Sequence, residues 1–97
     1  MSYQVIAQYR ARPDTADQVA ALLPRLAAAS RTEAGCQAYT VNRDLEDTAR
    51  FVIVETYRTA EDLATHRETE HFNEIAVGQI IPLLAHREVS AGQLDPV

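Results

Sequence analysis

The 97-residue sequence has no tryptophan, no lysine, one cysteine, three glycines and no long apolar run. A lone cysteine excludes an intrachain disulfide. No stretch approaches the roughly 18 to 20 apolar residues that a membrane-spanning helix needs, so an integral membrane role is excluded. Scarce glycine with 46% hydrophobic residues marks an ordered globular chain rather than a linker or a low-complexity segment. Without lysine, the nine cations are all arginines, scattered singly from Arg10 to Arg87 on a chain of formal charge -5. They form no stripe that could follow a phosphate backbone, and nucleic acid is excluded as a partner. Met1-Ser2-Tyr3-Gln4 leads into a strand pattern without a preceding basic segment and apolar run, which with the single thiol predicts a cytoplasmic protein.

The length predicts one domain over residues 1–97, with a polar tail from about Gly92 to Val97. A chain this size buries only about two-thirds of its unfolded surface, so a second copy would add to its stability. Tyr3 to Arg10 alternate, with Tyr3, Val5, Ala7 and Tyr9 on one face and Gln4, Ile6, Gln8 and Arg10 on the other, as in a strand. Thr15 and Gln18 have capping-box spacing, and Val19, Leu22, Leu23 and Leu26 share one stripe of a helix predicted over roughly 15–34. Pro24 inside it removes a backbone donor, a defect worth about 3 kcal/mol, and predicts a kink near Ala20-Ala21.

Cys36 to Arg43 and Arg50 to Arg58 read as a hairpin across the polar turn Asp44 to Ala49. Thr59 with Asp62 can cap a short helix. A second helix begins at Thr69 or Glu70, with Phe72, Ile75, Ala76, Ile80, Leu83 and Leu84 as its buried stripe and Pro82 loosening its last turn. His86 to Ala91 completes the pattern as a strand. The order βαββαβ, with the second helix split, predicts an α+β ferredoxin-like fold with an antiparallel sheet. Its helices cover one sheet face, and the apolar residues expected on the other predict a homodimer.

Glu55, flanked on its strand face by Ile53 and Tyr57, should be at least half buried and in need of a partner. A catalytic carboxyl and a structural ion pair with Arg43 or Arg10 fit equally well. His66, three residues after Leu63, leans towards the sheet, where it could exchange protons with a phenol or enol; a plain helix-end histidine is the alternative. His71 beside Phe72 could equally hydrogen-bond the loop between the helices. On one helix, His66 and His71 at i,i+5 miss the i,i+4 spacing of a zinc clip, so no metal is expected. Cys36 at a helix-to-strand corner reads as a small buried thiol, and Tyr39 and Tyr57 as pocket wall or dimer core.

The linked set Glu33-Ala34-Gly35-Cys36-Gln37-Ala38-Tyr39, then Phe51 to Tyr57 ending in Glu-x-Tyr, then His66 and His71-Phe72, resembles the antibiotic biosynthesis monooxygenase family from about Tyr3 to Leu84. The resemblance implies a dimeric α/β barrel and a pocket with His66, Glu55 and His71 as catalytic candidates and Cys36, Tyr39, Tyr57 and Phe72 against the substrate. It also implies an oxygenase that ionises a quinol or polyphenol-like small molecule and lets the anion react directly with O2, without a cofactor. A haem-degrading role is disfavoured, because that branch relies on a tryptophan and a first-strand asparagine where this chain carries Ala7 and Gln8. Two further readings stay open: an isomerase or signal-molecule-processing enzyme of the same fold, and a non-catalytic small-molecule-binding dimer.

Overall fold

The computed structural model describes residues 2–95. Its elements run β1 (Ser2–Ala11), α1 (Ala16–Ser30), β2 (Cys36–Arg43), β3 (Arg50–Tyr57), α2 (Ala60–Arg67), α3 (Phe72–Ile80), a 3₁₀ turn (Ile81–Leu83) and β4 (Leu84–Leu94). The strands form one antiparallel sheet in the order β2-β3-β1-β4. This is the ferredoxin-like βαββαβ arrangement, with the second crossover split into α2 and α3. Among the described residues, no helix is long and apolar enough to cross a membrane.

Strand alternation decides which face is buried. Val5, Ala7, Tyr9 and Ala11 of β1 and Phe51, Ile53, Glu55 and Tyr57 of β3 lie under the helices. They meet Val19, Leu23 and Leu26 of α1 and Ile75, Ala76 and Ile80 of α3. The other face is apolar only along its centre. Ile6 is exposed and pairs with half-buried Val54, while Gln4, Gln8, Thr40 and Asn42 flank this stripe.

Several local expectations change. Helix α1 stops at Ser30 rather than near 34, because the Thr32 hydroxyl donates to the Ala29 carbonyl at 2.6 Å and tight turns carry the chain on to Cys36. The capping box does not form. The Thr15 hydroxyl instead donates to the Leu83 carbonyl at 2.8 Å, tying the start of α1 to the end of the α3 segment. Helix α1 runs through Pro24, which sits on its solvent face.

Segment α3 is wound as a π-helix. The wider i→i+5 turn brings Ile75 and Ile80, five residues apart, onto one buried face, whereas Phe72, Leu83 and Leu84 are half buried. Strand β4 extends through Leu94, so Gly92 to Leu94 belong to the sheet and not to a tail; Pro96 and Val97 lie outside the described residues.

Candidate functional site

The early end of α1 places Glu33, in the turn before β2, facing the junction of α2 and α3. Helix α2 starts where predicted, with the Thr59 hydroxyl accepting from the Asp62 amide at 3.1 Å. Two turns later it delivers His66, which is 1% exposed. Glu33 Oε2 lies 2.7 Å from His66 Nδ1 and 2.6 Å from His71 Nε2. As a carboxylate, Glu33 only accepts, so it draws the proton of each ring to the nitrogen facing it. The Nε2 of His66 is thereby turned towards Glu55 Oε1, 3.6 Å away.

Glu55 in turn accepts a hydrogen bond from the Tyr57 hydroxyl at 2.6 Å. Burial raises the pKa of Glu55 above the usual carboxylate value, against the opposing pull of the Tyr57 bond, the His66 ring and the Arg67 charge. Burial, then the Glu55 charge, raises both Tyr57 and Tyr39, so neither phenol is easily ionised. Phe72, Tyr57 and Tyr39 surround His66 with ring centroids at 5.2, 5.3 and 6.1 Å. Glu33, His66, Glu55 and Tyr57 thus form a proton-bearing chain inside an apolar shell.

Glu55 and His66 line one cavity with Val5, Ala7, Tyr9, Tyr39, Leu63, Phe72 and Val89, and with Arg67 and Arg87. Its volume is about 10 Å³, enough for about one water molecule. Admitting an aromatic ring requires side chains to move, and Arg67 and Arg87 are the exposed residues of the lining, with solvent to move into.

The structure therefore brings Glu55, His66, Tyr39 and Phe72 to one cavity. His71 lies outside its wall, held by Glu33. Tyr57 is completely buried behind Glu55 rather than lining the space. Cys36 does not line that cavity but sits in a depression at the β2 edge with Arg31, Gln37, Ala38, Thr40 and the shared Tyr39, where its thiol donates to the Ala38 carbonyl at 3.6 Å. Burial pushes that thiol up, away from the reactive thiolate. Neither arginine suggested for Glu55 reaches it. Arg43 pairs with Asp17, and Arg10 with Asp47.

Glu33, quoted in the sequence only as part of the Glu-Ala-Gly-Cys motif, joins the site as the shared partner of both histidines. The signal in the sequence is a pair of histidines needing an acceptor and an acidic residue beside Gly-Cys; its link to them is tertiary, since Glu33 lies 33 and 38 residues away. His66 lies in α2 and His71 at the N-cap of α3, so the i,i+5 spacing of a single helix does not apply to them. Glu33, His66 and His71 present ligand atoms within 4.8 Å of one another and could hold a cation. In the present geometry both rings sit at hydrogen-bond distance from one oxygen, which is an arrangement of donors around an acceptor.

The fold and this half-enclosed site define a small ferredoxin-like α+β protein with a buried carboxyl–imidazole pair. The family profile described as antibiotic biosynthesis monooxygenase matches residues 2–77. Rv0793 of Mycobacterium tuberculosis is 34% identical over 68 residues, a stretch covering 70% of this chain and 66%, just under two thirds, of that protein. Its solved structure superposes with a TM-score of 0.88 at 28% identity, covering 99% of this chain and 98% of the other. PA3566 of Pseudomonas aeruginosa gives 0.87 at 32% identity, covering 97% and 95%. A crystal structure described as an antibiotic biosynthesis monooxygenase gives 0.89 at 30%, covering 97% and 99%. The chain belongs to the antibiotic biosynthesis monooxygenase family.

Proposed function

We propose that the protein is a monooxygenase of small quinol or polyphenol-like substrates, working as a homodimer by substrate deprotonation and direct reaction with O2. The observation that carries this reading is the Glu55–His66 pair, 3.6 Å apart on one side of the sheet and lining one aromatic-walled cavity. Its support from relatives is membership of a family described as monooxygenases.

In this scheme His66 or Glu55 takes the proton of a ring hydroxyl. The electron-rich anion gives an electron to O2, and recombination forms a hydroperoxide at a ring carbon. Loss of water from that carbon leaves a quinone carbonyl, so one oxygen atom enters the product and the other leaves as water. All four electrons come from the substrate. The protein's part is to hold the ring against Tyr9, Tyr39 and Phe72 and to move the proton. Glu33 is a positioning residue, fixing which nitrogen of His66 is free. The apolar central stripe of exposed Ile6 and half-buried Val54 supports pairing of two sheets in the dimer.

Oxygen uptake with a panel of naphthols and quinols tests the proposal. The wild type should consume O2 and form quinone, and His66→Ala should lower the rate by about 10²-fold or more while remaining folded. Absence of uptake across the panel would refute the oxygenase reading. An isomerase is the second reading, favoured because a carboxyl and an imidazole at this separation are also the acid and base of an enolisation. Turnover of an enolisable substrate without oxygen consumption would select it.

A further inference from the structure

Five of the nine arginines have carboxylate partners: Arg10, Arg12, Arg43, Arg50 and Arg58. Arg31 is engaged by the Tyr39 carbonyl, to which its Nη2 donates at 2.6 Å. Among the described residues, no carboxylate forms an ion pair with Arg25, Arg67 or Arg87. Arg25 stands on the solvent face of α1, away from the site cavity. Arg67 and Arg87 both line the site cavity. One comes from the last residue of α2, next to His66, and the other from β4, opposite Tyr9. The Arg87 guanidinium lies 5.9 Å from the Tyr9 ring centre and acts on the Tyr9 hydroxyl, a neutral partner, while Arg67 is close enough to Glu55 to favour its carboxylate form without forming an ion pair with it. On a chain of net charge -5, two exposed guanidinium groups that no carboxylate holds in an ion pair line one apolar cavity, where an anion would enter.

We infer that Arg67 and Arg87 select a substrate carrying an anionic group, and that the substrate class is an aromatic hydroxy acid. This rests on the monooxygenase reading of the same site for its chemistry, but not for its binding. The ring enters the space walled by Tyr9, Tyr39, Phe72 and Val89, with its hydroxyl towards Glu55 and His66, while its carboxylate stays at the mouth with the arginines. A cavity of about 10 Å³ admits a ring only if the two arginine side chains swing outward. A neutral phenol displaces them and gives nothing back. An acid pairs with them as it displaces them, and the planar fork of a guanidinium matches a carboxylate. The arginines also offset the repulsion that Glu33 and Glu55 exert on an incoming anion.

The test compares equilibrium binding of 1-hydroxy-2-naphthoate and 1-naphthol, followed by ligand fluorescence, to the full chain. The wild type should bind the acid about ten-fold tighter or more, the scale of one or two charge-assisted hydrogen bonds. Arg67→Ala and Arg87→Ala should each lose part of that preference, the double variant all of it, and Arg25→Ala none. Arg67→Gln/Arg87→Gln provides the same test should the alanine pair unfold. Equal binding of the two compounds, no binding of either, a preference surviving in a folded double variant, or equal loss in Arg25→Ala would overturn the inference. Oxygen uptake is scored separately: acid-selective binding without O2 consumption would count against the oxygenase reading and still support the arginine assignment.

Discussion

Replacement of Glu33 separates the roles of its charge and its shape. Both histidines converge on a single oxygen, Oε2, at 2.7 and 2.6 Å. A hydrogen bond to a charged group contributes about 1.5–3 kcal/mol, and a buried donor left alone costs about 1–3 kcal/mol. His71 is half buried and can turn to water. The His66 side chain, 2% exposed, cannot. Glu33→Ala should therefore destabilise the fold by about 2–4 kcal/mol, a fall of roughly 10–30 °C in Tm for a domain of this size.

Glu33→Gln should behave differently. A glutamine oxygen in the place of Oε2 still accepts from both rings and loses only the charge, a change of about 1 kcal/mol. Urea unfolding at neutral pH, followed by circular dichroism at fixed protein concentration, measures both variants. Equal losses for alanine and glutamine, or an alanine variant within about 0.5 kcal/mol of wild type, would refute the reasoning.

Glu55→Gln should lose its stability deficit relative to wild type as pH rises. The folded pKa of Glu55 is raised by burial, so the folded state holds this proton more tightly. The resulting stability is complete below the unfolded value of about 4.3 and is lost as pH climbs through the raised one. Urea midpoints across that window check the sign, with Tyr57, His66, Arg67 and Glu33 as the groups facing the carboxyl; a deficit that widens with pH contradicts it. Gly35→Ala should cost about 1–3 kcal/mol, because an added Cβ collides with the Cβ and Cγ of Asp62 in the first turn of α2; thermal melts decide, and an unchanged Tm would be the adverse result. Val54→Glu on the uncovered sheet face should give a monomer by light scattering where the wild type gives a dimer, and a wild-type monomer at micromolar concentration would remove that proposal.

The element order, the fold class and the apolar face of β1 are legible in the chain, because period-two alternation at Val5, Ala7 and Tyr9 is a local pattern, whereas β3 is apolar on both faces and packing alone puts Phe51, Ile53 and Tyr57 under the helices. The sequence also identifies Glu55 as a carboxyl among apolar neighbours and His66 as leaning towards the sheet. What they meet is set by packing between distant segments. Glu33 enters through a helix that ends four residues early, which depends on one hydroxyl finding a carbonyl. His71 is withdrawn from the cavity wall, Tyr57 is buried behind Glu55, and Cys36 is turned to a strand edge, outcomes set by the packing of α2 and α3 on the sheet. Arg67 and Arg87, twenty residues apart, look like two more scattered charges in the sequence. They come together because antiparallel pairing sets β4 beside β1, opposite Tyr9, and a pairing between distant strands leaves no local trace in the chain.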